Sequence, residues 1–184
     1  MSKSKTKYVI LGLLSERDLT GYEIKKIVDI RFSFFWNESY GQIYPELKKL
    51  ECQNLIIVKK SQEISRREKT LYSITENGLK ELRSWLEKPN EKESVRFEIL
   101  LKVYFSKNTT VDVIKNHIET FMNTHEKQLE ILNGFQKELS SVRDLHDNHN
   151  DILRVIDCGQ KVYTAYIKWC QETMIYLKGR AKNE

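Results

Sequence analysis

The apolar positions of the chain form two patterns, short mixed segments up to residue 88 and long helical stripes from residue 95 onward. Tyr8–Ser15 (YVILGLLS) is a compact apolar run, long enough for a short buried helix. Thr20-Gly21-Tyr22-Glu23 has the spacing of a capping box, in which the threonine hydroxyl accepts from an orphan N–H and the glutamate reaches back to the cap. The helix it opens, Tyr22 to about Arg31, carries Ile24, Ile27 and Val28 on one face. After an aromatic connector, Phe32–Glu38, a second box at Ser39-Tyr40-Gly41-Gln42 begins the next helix. Its start lies between Ser39 and Gln42, because Pro45 is best tolerated in a first helical turn. Ile43, Leu47 and Leu50 form its inner face, and Asn54 stands where a left-handed C-terminal cap is expected. Leu55–Lys60 and Lys69–Ile74 are rich in β-formers and are joined by the charged stretch Ser61–Glu68, which predicts a hairpin with a long basic tip. Thr75 then caps a helix that turns Leu79, Leu82 and Leu86 inward. Three helices, a two-stranded hairpin and a helix, in that order, make a winged helix-turn-helix.

The polar stretch Pro89–Ser94 interrupts the pattern and separates a winged domain, 1–88, from a helical domain, 95–184. Beyond it, Val95–Phe105 predicts an amphipathic helix. Thr109 to about Val142 predicts a longer one, with Val111, Ile114, Ile118, Phe121, His125, Leu129, Leu132, Phe135, Leu139 and Val142 on one face. Leu145–Asp151 reads as a polar turn. In the last helix Ile152, Ile156, Gly159, Tyr163, Tyr166, Cys170, Thr173 and Leu177 recur in strict four-three alternation. A parallel stripe of Val155, Val162, Trp169 and Tyr176, seven residues apart, widens that face beyond a two-helix seam. So wide a face predicts an intertwined homodimer, with Ile152, Ile156, Gly159, Tyr163, Tyr166, Trp169, Cys170 and Leu177 at the contact. Gly159 fits either a close helix approach or a plain kink. The fold class expected is mainly α, an N-terminal winged helix-turn-helix with a two-stranded wing followed by a C-terminal helical dimerisation and effector domain.

Charge sharpens the first half. The net charge is +5, and residues 1–88 hold 17 Lys+Arg against 12 Asp+Glu, whereas the remainder holds 14 of each. All the net positive charge therefore lies in the winged half, as a nucleic-acid-binding module joined to a neutral partner module requires. With Ile43, Leu47 and Leu50 inward, helical geometry turns Gly41, Gln42, Pro45, Lys48, Lys49 and Cys52 outward, with Tyr44 on the flank. In a helix-turn-helix this second helix enters the major groove of double-stranded DNA. Gln42 is suited to a base edge, Lys48 and Lys49 to phosphate, and the Tyr40 and Tyr44 hydroxyls to phosphate, while Gly41 permits close approach. At the hairpin tip Arg66, Arg67 and Lys69 suit backbone contact or entry into a narrow minor groove. Phe34, Phe35 and Trp36 are read as packing between domains rather than stacking on bases.

Other chemistries find little support. The sequence has no phosphate-cradling glycine loop, nucleophile motif or convincing carboxylate pair, so no enzyme activity and no cofactor are expected. His146 and His149, near Asp144, Asp147 and Asp151, lie in a polar interhelical stretch that reads as a solvated loop rather than a metal site. Cys52, Cys158 and Cys170 form no Cys-x-x-Cys pair, which fits a reducing cytoplasm. No apolar run reaches the length of a membrane span, and the apolar stretch Tyr8–Leu14 is too short for a signal peptide. Phe97, Tyr104, Trp169 and Tyr176, with Tyr163 and Tyr166, can line a cavity for a small aromatic effector. An aromatic stripe at helical spacing is nonetheless more often core.

Three separated runs carry a family resemblance. They are Gly21-Tyr22-Glu23-Ile24, then Ser39-Tyr40-Gly41-Gln42-Ile43-Tyr44-Pro45-Glu46-Leu47-Lys48-Lys49-Leu50-Glu51, then Leu71-Tyr72-Ser73-Ile74-Thr75-Glu76-Asn77-Gly78. In this order they resemble the PadR family of bacterial regulators over almost all of Lys7–Leu86. Arg96–Lys102, Gly159 and Trp169 are similar to the weaker signatures of its second domain. Asn54 departs from the glycine usual there, a change the left-handed conformation tolerates. The resemblance implies a dimer that binds an inverted-repeat operator, usually as a repressor, often released by a small molecule. It places Gln42, Tyr44 and Lys48 in the recognition helix and Arg66 and Arg67 in the wing. The rival reading is a winged helix that binds a protein partner, which has no reason to keep the outward helix face basic.

Overall fold

The apolar stripes find their partners in the computed structural model, which describes residues 5–60, 70–91, 95–141 and 148–180. The chain divides into two compact units, Met1–Lys92 and Glu93–Glu184. In the first, helix α1 (Thr6–Glu16) buries Ile10, Leu11, Leu13 and Leu14. A two-residue strand β1 (Leu19–Thr20) leads directly into α2 (Gly21–Ile27), capped by the expected box. Glu23 N–H donates to Thr20 Oγ1 at 3.2 Å, and Thr20 N–H donates to the Glu23 carboxylate at 2.8 Å. The helix widens into a π-helical turn, Val28–Phe32, before the connector.

Helix α3 (Tyr40–Cys52) has Ser39 as its N-cap, so Pro45 lies in the second turn and not in the first, as its chemistry had suggested. The proline ring removes the donor that the Gly41 carbonyl would otherwise receive, and Gly41 is exposed, so water can serve that carbonyl. Ile43, Leu47 and Leu50 are each 0% exposed, every one worth about 1.5–3 kcal/mol of burial. The helix ends in a complete Schellman motif. Asn54 takes a φ of 55°, its N–H donates to Glu51 O at 2.9 Å, and Leu55 N–H donates to Leu50 O at 3.0 Å.

Strands β2 (Ile56–Lys60) and β3 (Thr70–Ile74) pair antiparallel with Ile56 opposite Ile74 and Val58 opposite Tyr72. Strand β1 adds to the other edge of β3, giving three strands in the order β1-β3-β2 where the sequence pattern indicated two. Two residues are too few to show a period, and the second, Thr20, is itself the cap of α2. The hairpin tip, with Arg66, Arg67 and Lys69, lies outside the described residues.

Helix α4 (Glu76–Leu86) is capped by Thr75, whose Oγ1 accepts from Gly78 N–H at 3.1 Å and donates to Leu55 O at 3.0 Å. Leu82 packs on the core, but Leu86, expected inward, is 66% exposed. Trp85 takes the inner position instead, stacking on Tyr8 with centroids 4.5 Å apart and planes 8° from parallel. Lys7 pairs with Glu81 at 2.7 Å beside that stack and ties α1 to α4.

In the second unit α5 (Glu98–Tyr104) starts three residues later than the periodicity indicated, after an extended lead that ends at Phe97. A 3-10 turn (Ser106–Asn108) leads to α6 (Val111–Ser141) and α7 (His149–Arg180). Helix α7 thus takes in the last part of the segment read as a polar turn; Leu145–Asp147 lie outside the described residues. The two long helices run antiparallel, with Gln160 Nε2 donating to Asn133 Oδ1 at 2.7 Å and to Gln136 Oε1 at 2.9 Å. Among the described residues, no helix is long and apolar enough to cross a membrane.

The last helix packs against its neighbour within the chain. The stripe assigned to a dimer contact is occupied within the chain, where Ile156, Gly159, Tyr163, Cys170 and Leu177 are buried and Ile152, Tyr166 and Trp169 half-buried. Ile114, Ile118, Cys170 and Leu177 share one core, so α6 covers this end of the stripe. Two helices joined by a short connection pack on each other first, and the apolar surface left over is the neighbouring stripe. On it Val155, Val162 and Tyr176 are exposed. Burial, chiefly, pushes the Cys170 thiol and the Tyr163 phenol up, so both stay neutral in the seam.

Two positions test the join between α3, the hairpin and α4. A Cβ on Gly78 would lie 2.2 Å from the Leu55 carbonyl oxygen and 2.7 Å from Ile74 Cγ1. Gly78→Ala is therefore expected to cost about 2–4 kcal/mol, whereas Asn54→Gly stays within about 0.5 kcal/mol. Urea unfolding midpoints measure both, and an unshifted Gly78→Ala midpoint would contradict the packing described.

Candidate nucleic-acid interface

Committing Ile43, Leu47 and Leu50 to the core fixes which side of α3 meets solvent. Gly41, Gln42, Pro45, Lys48, Lys49, Glu51 and Cys52 are exposed there. Tyr40 and Tyr44 are 45% and 43% exposed and stack on each other with centroids 6.0 Å apart and planes 22° from parallel. The structure thus brings Tyr40, Gly41, Gln42, Tyr44, Lys48 and Lys49 onto one surface.

Their chemical states differ. Lys49 pairs with Glu46 on the same helix at 3.2 Å, while Lys48 has no ion-pair partner among the described residues. Gln42 is partly engaged, since its Oε1 accepts from both the N–H and the hydroxyl of Ser39 at 2.8 Å each. Its oxygen serves the cap, which leaves Nε2 as the donor for a base edge. That division was not visible when the box and the base contact were read separately.

Three supports hold the helix. Glu38, just before the cap, is buried at 2% exposure and accepts from Thr6 Oγ1 at 2.9 Å and Trp36 Nε1 at 2.8 Å. Trp36, read as a contact between domains, thus has its partner inside its own unit, and Phe34 packs edge-on against Phe35 at 4.7 Å. From the sheet, Tyr72 on β3 reaches the same core, its phenol pushed up by burial first and then by Glu51 and Tyr44. From α2, Lys25 sits with Nζ 5.5 Å from the Tyr40 ring centroid and pairs with Asp29. Sequence reasoning missed Lys25, because its link to Tyr40 joins two helices and leaves no trace in local spacing.

At the base of the wing Lys59 Nζ donates to Asp18 Oδ2 at 2.7 Å, tying β2 to the residue before β1. In the second unit Phe97 and Trp169 join an aromatic cluster around Phe121, Phe97 at 6.3 Å and Trp169 at 6.2 Å between centroids. His125 lies in the same cluster, 4.1 Å from Phe121, with Nδ1 2.7 Å from the Phe121 carbonyl oxygen. Tyr104 and Tyr176, proposed with Phe97 and Trp169 to line one cavity, are instead 81% and 67% exposed. Among the described residues neither has a ring contact with the cluster, Tyr104 meeting only Phe105. His149 begins α7, and His146 lies outside the described residues.

Capped helices around a small sheet, with a basic and aromatic helix face turned outward, define a winged helix-turn-helix DNA-binding protein with a helical second unit. Residues 10–84 match the model of the transcriptional regulator PadR-like family, and residues 95–178 match that of the virulence activator alpha C-terminal domain. The chain is 31% identical over 175 residues to the negative transcriptional regulator PadR of Bacillus subtilis, spanning 91% of this chain and 94% of that protein. The crystal structure of Bacillus subtilis PadR in complex with operator DNA superposes with a TM-score of 0.81 at 27% identity, covering 93% of this chain and 98% of that one. The structure of the same regulator with p-coumaric acid gives 0.74 at 25% identity, covering 96% and 99%. The chain belongs to the PadR family of transcriptional regulators.

The Asp18–Lys59 link carries a pH signature. Hydrogen bonds from Lys59, first, and Ser73 hold the Asp18 carboxyl below its ordinary range. A lowered folded-state value means that the ionised carboxylate stabilises the fold at neutral pH. That contribution is lost as pH falls from about 5 through the carboxylate range. Asp18→Asn is therefore expected to lower the urea midpoint slightly at pH 7, and the gap from wild type should close toward pH 3. A gap that stays constant with pH would rule out this ion pair as its cause.

Proposed function

We propose that this chain is a homodimeric repressor that binds an inverted-repeat operator and is released by a small aromatic effector. The observation that carries the DNA reading is the outward face of α3, where a Lys48 with no ion-pair partner among the described residues, a donor on Gln42 and two stacked tyrosines share one exposed surface. Residues 1–88 act as the DNA-binding domain, with Lys49 and the wing residues Arg66, Arg67 and Lys69 adding phosphate contacts. Residues 95–184 act as the dimerisation and effector domain.

One winged helix reads a half-site, so pairing two raises specificity. The apolar residues left exposed along one stripe of α7, Val155, Val162 and Tyr176, supply a face for a second copy. The ring cluster that contains Phe97 and Trp169 is the place this reading assigns to an aromatic effector. The p-coumaric acid complex of the Bacillus subtilis relative supports that chemistry.

Binding to duplexes enriched by the full-length protein from a random-sequence library, and to DNA upstream of its own gene, tests the reading. Affinity is expected to fall steeply with salt as counterions are released. Lys48→Ala should weaken all duplexes alike and reduce the log–log salt slope by about 0.9. Gln42→Glu keeps the capping oxygens, removes the amide donor and should flatten the preference between enriched and unrelated duplexes. Absence of binding at low salt, or indifference to sequence in the wild type, would overturn the repressor reading.

A further inference from the structure

Helix α2 lies directly beneath the two tyrosines of α3, with a different contact for each. A Cβ built on Gly21 would lie 2.8 Å from Tyr44 Cε1, 3.1 Å from Tyr44 Cζ and 3.2 Å from Leu47 Cδ1. The Gly21 backbone is not in the left-handed region, so an alanine there is excluded by the Tyr44 ring and not by φ. One helical turn further along α2, Lys25 places its ammonium over the Tyr40 ring at 5.5 Å. The Lys25 side chain is only 13% exposed and is pinned by Asp29. Gly21 and Lys25 therefore form one ladder, Tyr44 and Tyr40 the facing ladder, and the two rings are stacked on each other.

We infer that Gly21 and Lys25 are positioning residues for DNA binding: they set the Tyr44 and Tyr40 rings so that both hydroxyls are pre-ordered toward the phosphate backbone. The inference rests on the DNA reading above. Gly21 acts by omission, because a methyl group at that position displaces the flexible, half-exposed Tyr44 ring, 2.8 Å away, and asks buried Leu47 Cδ1, 3.2 Å away, to give by only a few tenths of an ångström. Lys25 acts through the face of Tyr40 and, being mostly buried and already paired, is not itself a phosphate ligand. A hydroxyl held in place before binding loses less rotamer freedom on contact, which raises affinity without adding a contact.

Two double-mutant cycles on the enriched duplex test this, one with Gly21→Ala and Tyr44→Phe, the other with Lys25→Met and Tyr40→Phe. Each phenylalanine keeps the ring and removes the hydroxyl. Gly21→Ala and Lys25→Met should each weaken binding about three- to tenfold, the range of one hydrogen bond, with thermal midpoints close to wild type. Each should have no further effect once its tyrosine is phenylalanine. Lys25→Met should also leave the salt slope unchanged, because no counterion release depends on it. Wild-type affinity in both single variants, or equal losses in the tyrosine and phenylalanine backgrounds, would overturn the assignment. For Lys25, so would a slope reduced by about 0.9, the mark of a direct phosphate contact. Failure to enrich any duplex would overturn the DNA reading along with the assignment, whereas enrichment followed by additive variants overturns the assignment alone.

Discussion

Three side chains on one helix, Ile43, Leu47 and Leu50, are withdrawn completely from water, and most of the first unit is arranged around that burial. α1 and α2 supply the opposing surface, and β2 and β3 close it from the side, with Ile56 and Tyr72 in the same core. A helix that gives positions four and three apart to the core has only its opposite face to offer. The exposure of Gln42, Tyr44 and Lys48 is thus a consequence of packing on the far side. The ends of α3 are held just as firmly, by the Ser39–Gln42 box at its start and the Asn54 turn at its finish.

The positive charge of this half is less available than its total suggests. Lys5, Lys7, Lys25, Lys49 and Lys59 each lie within ion-pair distance of a carboxylate. Exposed pairs of this kind contribute little stability, about 0–1 kcal/mol, but they orient the side chains that make them. Lys48, on the outward face, has no ion-pair partner among the described residues. The lysines therefore divide between those that brace the fold and those that face outward.

The second unit applies the same economy to a longer surface. α6 and α7 bury their shared seam within the chain, polar at Gln160 and aromatic around Phe121 and His125. What remains exposed is a second apolar stripe at Val155 and Val162, one residue further round the helix from buried Ile156 and Tyr163. A seam satisfied inside one chain sets the angle at which this outer stripe is presented.

The elements readable from sequence were those governed by contacts within a few residues. Both capping boxes, the Thr75 cap and the left-handed turn at Asn54 depend on neighbours three to five positions away, and each is found where the residues indicated. The helical stripes were legible for the same reason, since periodicity records which face is buried. It does not record what covers that face. The stripe from Ile152 to Leu177 therefore read as a subunit contact, whereas Cys170 and Leu177 share a core with Ile114 and Ile118 of α6. Leu86 read as core until Trp85 was seen to take that place against Tyr8. β1 was too short to show any period and owes its existence to pairing with β3. Residue by residue, sequence alone determined the ends of helices that carry a cap signal and most of the apolar faces, because caps and periodicity are local. Tertiary structure decided which surfaces meet, down to a glycine beneath one tyrosine and a lysine beneath the next, because contacts between distant segments leave no spacing to read.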